Sequence, residues 1–191
     1  MDSADGGVIV YNYASDNSFG RKVTSSVTIK NTIGNTLSTI NSSKITDAQN
    51  RLRKTIDGDS KVTLMQYTAR GDLNWAMVNN DSKTVFQIEY DAAGNRTRLI
   101  DPDVGERLYA YDALGHLRKV IQNPGSDNVT SSETQYDVLG RMISRTDTDD
   151  TDSQTGQWQY DTAANGIGLL ASQTGDGFYQ QYIYDGFSRL Q

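Results

Sequence analysis

Apolar and polar residues alternate along short stretches of this chain, and the stretches come back. Phe86, Ile88 and Tyr90 share one face of an extended strand, with Val85, Gln87 and Glu89 on the other. Tyr109 and Tyr111, Trp158 and Tyr160, and Tyr182 and Tyr184 have the same two-residue spacing, which places each pair on one face. A polar turn follows each run, and then a short apolar return such as Leu117 and Val120, or Met142 and Ile143. Two short strands around a turn read as a β-hairpin.

The turn is a repeated motif. Tyr90-Asp91-Ala92-Ala93-Gly94-Asn95-Arg96 returns as Tyr111-Asp112-Ala113-Leu114-Gly115-His116-Leu117 and as Tyr136-Asp137-Val138-Leu139-Gly140-Arg141-Met142. With its glycine replaced it returns as Tyr184-Asp185-Gly186-Phe187-Ser188-Arg189-Leu190, and Tyr160-Asp161 opens a variant, Thr162-Ala163-Ala164-Asn165-Gly166. Upstream, Tyr67-Thr68-Ala69-Arg70-Gly71-Asp72-Leu73 and Thr46-Asp47-Ala48-Gln49-Asn50-Arg51-Leu52 are degenerate copies, and Lys30-Asn31-Thr32-Ile33-Gly34-Asn35 follows the outline. The aspartate can hydrogen-bond backbone two residues on and start a turn. The fifth position is Gly or Asn in most copies, the residues that enter left-handed backbone at least cost.

Successive copies lie about two dozen residues apart. Two strands of about five or six residues and two turns fill that spacing and leave no room for a helix. The expected fold class is all-β: tandem antiparallel hairpins forming one curled or spiralling sheet strip whose repeats cannot bury a core singly. Residues 62–191 carry the clear repeats, 30–61 degenerate ones, and 1–29 an irregular or worn repeat around Asp16 to Lys22. Connections between hairpins hold both prolines, in Asp101-Pro102-Asp103-Val104-Gly105 and Asn123-Pro124-Gly125-Ser126-Asp127, where a missing N–H costs no ladder bond. Ile56-Asp57-Gly58-Asp59 reads as an Asp-Gly turn.

Composition sharpens this picture. Hydrophobic residues are 36% of the chain, with 11 tyrosines, which suits a single curled layer better than a thick core. The net charge of −6, without a basic stripe interleaved with aromatics, gives nucleic-acid binding no support. Arg and Lys recur after the turns, as at Arg51, Arg96, Arg118, Arg141 and Arg145, and read as part of a solvated mixed-charge face. There is no cysteine, hence no disulfide framework or thiolate metal site. No signal peptide is visible at Met1 to Gly7, and the sequence is expected to be a fragment of a longer protein.

Several constellations invite chemistry and read more simply as structure. The run Asp147, Asp149, Asp150, Asp152 suggests calcium, but counting from Asp150 puts Thr155 at the glycine position and Asp161 at the bidentate glutamate position of an EF-hand loop. No metal or other cofactor is expected. His116 is the only histidine and stands where Asn95 and Arg141 stand in sister copies, so it reads as a turn residue. Gly166-Ile167-Gly168-Leu169-Leu170-Ala171 matches a loose dinucleotide pattern without the helix that gives the pattern meaning. Four glycosylation triplets begin at Asn41, Asn80, Asn95 and Asn128 and carry little weight in an Asn- and Thr-rich chain. Tyr109, Tyr111, Trp158, Tyr160, Tyr179, Tyr182 and Tyr184 are the aromatics that would face glycans; the simpler reading is an inter-repeat ladder.

The Tyr-Asp-x-x-Gly-Arg-Leu unit resembles the YD repeat of Rhs proteins, of the B and C components of bacterial insecticidal toxin complexes, and of teneurins. Trp158 to Ser172 looks like a spacer variant of the bacterial members. The resemblance implies a secreted or cell-surface bacterial protein in which a β-sheet strip spirals into a hollow shell around a C-terminal toxin. Its partners would then be the rest of the shell and that cargo. The aspartyl self-cleavage segment of the bacterial shells has no counterpart here, so autoproteolysis and toxicity are not carried over.

The leading expectation is a non-enzymatic wall segment. Its motif residues are Tyr67, Gly71, Tyr90, Asp91, Gly94, Tyr111, Asp112, Gly115, Tyr136, Asp137, Gly140, Arg141, Tyr160, Asp161, Tyr184, Asp185 and Arg189. The alternative is a surface module that binds carbohydrate or a protein through exposed aromatics or an open edge. Stacked, covered tyrosines favour the wall, and an exposed row favours binding. Open sheet edges are expected to drive self-association.

Overall fold

The computed structural model describes residues 8–16, 18–30 and 35–191. Asn17 of the worn turn and residues 31–34 of the Lys30 to Asn35 copy lie outside the described residues.

The architecture is all-β and antiparallel. The strands are β1 (Val8–Asp16), β2 (Gly20–Lys30), β3 (Thr36–Thr46), β4 (Leu52–Ile56), β5 (Val62–Tyr67), β6 (Leu73–Met77), β7 (Val85–Tyr90) and β8 (Arg96–Asp101). They continue as β9 (Gly105–Tyr111), β10 (Leu117–Gln122), β11 (Thr130–Tyr136), β12 (Met142–Thr148), β13 (Ser153–Tyr160), β14 (Leu170–Gly175) and β15 (Phe178–Gln181). Sheet order follows sequence order in this open meander, as the hairpin repeat requires. Among the described residues one 3-10 turn, Ser82–Thr84, interrupts the strands, with the Asp81 side chain accepting from the Lys83 N–H.

The chain divides into two compact units, Met1–Ile88 with Ile100–Asp103, and Glu89–Leu99 with Val104–Gln191. The first unit contains β1 to β6; the second contains β9 to β15. Among the described hydrophobic residues only Ile45 in the first unit and Ala171 in the second are buried. A single sheet layer leaves nearly every described side chain partly or fully exposed, which explains the low hydrophobic content.

Turns within hairpins share one geometry. In the Asp112 turn the Asp112 N–H donates to the His116 carbonyl and the Gly115 N–H to the Asp112 carbonyl, and the pattern recurs from Asp47, Asp57, Thr68, Asp91, Asp137 and Asp185. This is the type I turn with a left-handed closing residue that three-residue hairpin loops favour. The left-handed position is Gly71, Gly94, Gly115 or Gly140 in some copies and Asn50, Ser60 or Ser188 in others. The Asp57 turn therefore closes on Ser60, and not through an Asp-Gly pair at Gly58.

Just after the turns at Asp47, Thr68, Asp112 and Asp137 the ladder slips, whereas across the Asp57 turn it runs without a shift. Leu117 pairs with Tyr111 but Lys119 with Ala110, leaving Arg118 bulged. The same slip leaves out Arg53, Asn74, Ile143 and Ala171. A bulge places two residues opposite one, so Leu117 and Val120 share a face despite their spacing of three. That is why strict alternation fades after these turns.

The last strand stops early. β15 ends at Gln181, and Tyr184 makes only an isolated bridge to Leu190.

Candidate functional site

The motif residues assemble a clamp along one row of turns. Each turn aspartate first shapes its own loop. Asp112 Oδ1 accepts the N–H groups of Leu114 and His116, both at 2.9 Å. Asp137 does the same for Leu139 and Arg141, and Asp185 for Phe187 and Arg189. The second carboxylate oxygen then holds the side chain four residues on: Arg51 Nε at 2.8 Å, Asn95 Nδ2 at 2.9 Å, His116 Nδ1 at 2.9 Å, Arg141 Nε at 2.7 Å and Arg189 Nε at 2.7 Å.

The side chain so held covers the tyrosine of the next turn. The Arg51 guanidinium lies 5.2 Å from the Tyr67 ring centre, and that of Arg141 lies 4.4 Å from Tyr160. The His116 ring lies 4.9 Å from that of Tyr136, tilted by 30°. Contacts of this kind are worth roughly 0.5–1 kcal/mol each where exposed.

The tyrosine completes the link by reaching back. The hydroxyls of Tyr67, Tyr111, Tyr136 and Tyr184 donate to the carbonyls of Leu52, Arg96, Leu117 and Leu170, at 2.7 to 3.0 Å. Each acceptor opens the return strand of the preceding hairpin. In three of the four the carbonyl directly precedes the bulged residue (Arg53, Arg118, Ala171), where the ladder is disturbed and a donor is needed. Aspartate, arginine or histidine, and tyrosine hydroxyl are all engaged between the Asp47 turn and Tyr67 and between the Asp112 turn and Tyr136, and the other links use part of the set.

Arg141 carries the most elaborate version. It pairs with Asp137 in its own turn and is bidentate to Asp161 of the following one, at 3.2 and 2.6 Å. Its guanidinium is held further into the charged state by these two carboxylates, Asp161 first. Asp161 itself is in left-handed backbone (φ 67) and also accepts the Gly168 N–H at 2.5 Å. The Arg141 side chain keeps its carboxyl below the usual carboxylate range. Burial pushes the Asp137 and Asp112 carboxyls up, but bonds from Arg141 and His116 outweigh it and leave both lowered. Asp91 is lowered chiefly by Asn95, and Asp185 by Arg189.

The post-turn cations are thus working members of the clamp. The Arg141 side chain is only 23% exposed, against 74% for Arg189 at the last turn. Arg98 is fixed as well, between Glu106 at 2.6 Å and Glu89 at 2.9 Å. Reading these residues as a solvated face is corrected for Arg51 and Arg141. An arginine recurring at a fixed offset from an aspartate was the signal available in the sequence.

The remaining candidates fall into structural places. His116 packs against Gly140, where an added Cβ would come within 2.8 Å of Nε2. Asp147 pairs with Arg145 and Ser132, and Asp149 accepts the N–H groups of Thr151 and Asp152. Gly166 to Leu169 closes a turn, with the Leu169 N–H donating to the Gly166 carbonyl. Tyr67, Tyr90, Tyr109, Tyr111, Tyr136, Trp158, Tyr160, Tyr182 and Tyr184 are all half-buried, whereas Tyr179 is 65% exposed.

No protein-family model matches the sequence, and no curated protein matches it. Among solved structures, the chain is similar to one in the Photorhabdus luminescens Tc holotoxin pore, at 18% identity and a TM-score of 0.57, covering 89% of this chain and 10% of that one. Chains in crystal structures of TcdB2-TccC3-TEV and TcdB2-TccC3-Cdc42 match at 14% and 15% identity, with TM-scores of 0.48 and 0.42, over 86% and 88% of this chain and 11% and 12% of theirs. The chain spans about a tenth of the length of these matched chains. The first likeness shows the fold.

Proposed function

We propose that this chain is a wall segment of a YD-repeat shell in a secreted bacterial protein of the Rhs or toxin-complex kind, with no catalytic role of its own. The carrying observation is the clamp: the repeat's Asp, Arg and Tyr side chains are spent on joining neighbouring hairpins. Its turn glycines serve the same geometry. A sheet one layer thick with almost no buried core is suited to enclosing space, and the likeness in fold to a stretch of the Tc holotoxin pore structure supports the reading. Its partners are then the rest of the shell and a C-terminal toxin held inside.

Electron cryomicroscopy of the native gene product containing these residues tests this. The segment should lie in the wall of a hollow particle whose contents resist protease until the wall is opened. A segment projecting from a solid body, with no protected interior, contradicts it.

A carbohydrate-binding role has one observation in its favour. Exposed Tyr179 borders a cavity of about 420 Å³ with Gln157, Gln159, Ser172 and Thr174, which offers neutral hydrogen-bonding groups beside a flat ring. Glycan-array binding lost on Tyr179→Ala would establish this second role. Binding retained in that variant would put the glycan away from Tyr179, and no binding at all would leave the wall as the only role.

A further inference from the structure

The turn at Asp47 differs from its sisters in charge. In the Asp137 turn one guanidinium, that of Arg141, meets two carboxylates, Asp137 and Asp161. In the Asp185 turn Arg189 meets one. Around Asp47 the balance is reversed, and three arginines share a single carboxylate. Arg51 pairs with it at 2.8 Å, Arg53 Nη1 stands 4.0 Å from the same oxygen, and Arg21 Nη2 donates to Asn50 Oδ1 in that turn at 2.9 Å.

Arg51 takes the Asp47 charge for itself. The other carboxylate oxygen is committed to the loop, where it accepts the N–H groups of Gln49 and Arg51. Asp16, in the turn of the neighbouring hairpin, accepts the N–H groups of Ser18 and Phe19, and Asp72 is paired with Arg70 at 3.1 Å. The charges of Arg21 and Arg53 are therefore left over. Arg53 lies over the Phe19 and Tyr67 rings, 5.6 and 6.0 Å from their centres, and its Nε is buried without a hydrogen-bond partner. A buried donor left unpaired is costly, and more so when it carries charge. Arg53 is thus short of an acceptor.

Beside these groups is a cavity of about 450 Å³, lined by Phe19, Arg21, Thr46, Asp47, Ala48 and Asn50. That volume is ordinary for a small-molecule site. Arg53 adjoins two of the lining residues, Phe19 and Asp47.

We infer that this cavity binds a tetrahedral oxyanion with two negative charges, a phosphate group that is either free or carried on an organic molecule. The charge count selects the class: two uncompensated guanidinium groups match one dianion, whereas a carboxylate would leave one of them unmatched. Arg21 Nε and Nη1 have no partner among the described residues, and a guanidinium fork suits phosphate oxygens. Thr46 adds a hydroxyl at the same wall. Phe19 and Ala48 make the remaining side apolar, where an organic group attached to the phosphate would rest. The site lies between the turns of the first two hairpins and uses cations that the clamp leaves over, so it does not depend on the wall reading.

Titration of the intact chain with inorganic phosphate, phenyl phosphate and benzoate at constant ionic strength, followed by NMR of backbone and arginine N–H groups, tests the site. The expected result is saturable shifts confined to Gly20, Arg21, residues 46–50 and the Arg53 Nε–H, with benzoate bound about tenfold more weakly than phenyl phosphate. Tighter binding of phenyl phosphate than of inorganic phosphate identifies an organic phosphate as the ligand, and equal binding identifies the free ion. Arg21→Gln should weaken binding about tenfold or more, with an unchanged far-UV circular dichroism spectrum. Arg53→Lys, which keeps the charge and loses the Nε–H, should weaken it as well, whereas Arg145→Gln in the second unit should leave it unchanged. No saturable binding at millimolar ligand, full binding in Arg21→Gln, or benzoate bound as tightly as phenyl phosphate overturns the inference.

Discussion

The strands β2–β3 in the first unit and β9–β14 in the second solve one problem in different ways. A sheet with one layer has little core to hold its strands in place. β2 and β3 use length: eleven residues each, with hydroxyls paired across the ladder at Thr24–Ser43 (2.9 Å), Ser25–Ser42 (2.7 Å) and Thr28–Thr39 (3.5 Å). β9 to β14 are six to eight residues long and rely on the clamp at their turns. Small hydroxyls stand on both faces of β2–β3, and Ile45 near one end is its one buried hydrophobic, so away from that end register is less strongly specified. In the clamped region a slip would unseat the aspartate turn, the arginine and the tyrosine hydroxyl together. Side-chain chemistry at the turns therefore substitutes for core packing in fixing register.

The largest expected break is at the turn glycines. Gly140 has φ 77, and a Cβ there would meet the His116 ring; Gly140→Val should cost at least ~2 kcal/mol from backbone strain and the collision together. Gly115 has φ 87 with nothing near its missing Cβ. Gly115→Val therefore isolates the strain, at about 1–3 kcal/mol. Urea unfolding measures both, and unchanged midpoints would sink the turn geometry.

Acid should loosen the clamped region before the hydroxyl ladder. The carboxyls of Asp47, Asp91, Asp112, Asp137, Asp161 and Asp185 are lowered in the folded chain from an ordinary value of 3.8. Groups with depressed folded values contribute stability that is full above the unfolded value and lost as pH falls through the folded one. Stability should hold above about pH 5 and fall below about pH 4. Hydrogen exchange resolved by segment should show β9–β14 losing protection more steeply there than β2–β3, and equal slopes would contradict the comparison.

Single hydroxyls come next. Tyr136→Phe removes the bond to the Leu117 carbonyl and should cost about 0.5–1.5 kcal/mol. Ser25→Ala in the ladder should cost less, a few tenths of a kcal/mol, because its partner Ser42 is only partly buried and can turn to water. If the serine change proves the larger, the ranking of the two devices is wrong.

The hairpin repeat and turn chemistry were legible because Tyr, Asp and Gly recur at fixed spacing, and left-handed backbone demands particular residues. Asn50 in place of glycine could be read that way, whereas Ser60 could not: serine carries no turn signature of that kind, and Gly58 beside it drew the assignment. The bulges at Arg53, Asn74, Arg118, Ile143 and Ala171 were illegible because these residues share no type that marks a bulge. Their trace was the odd spacing of Leu117 and Val120. The clamp was half visible. Its residues were found, but which tyrosine an arginine covers depends on the next hairpin lying alongside, and that is a tertiary fact.

The link between Arg141 and the following turn is the place to test whether hairpins are joined by side chains. A double-mutant cycle with Arg141→Met and Asp161→Asn, read by urea unfolding, isolates that pair from Arg141's bond to Asp137. If the clamp joins hairpins, each change alone weakens the fold, and the double variant loses clearly less than the two losses combined. Strict additivity would mean that Arg141 and Asp161 meet without holding anything, and the ladder alone would then keep the hairpins in register.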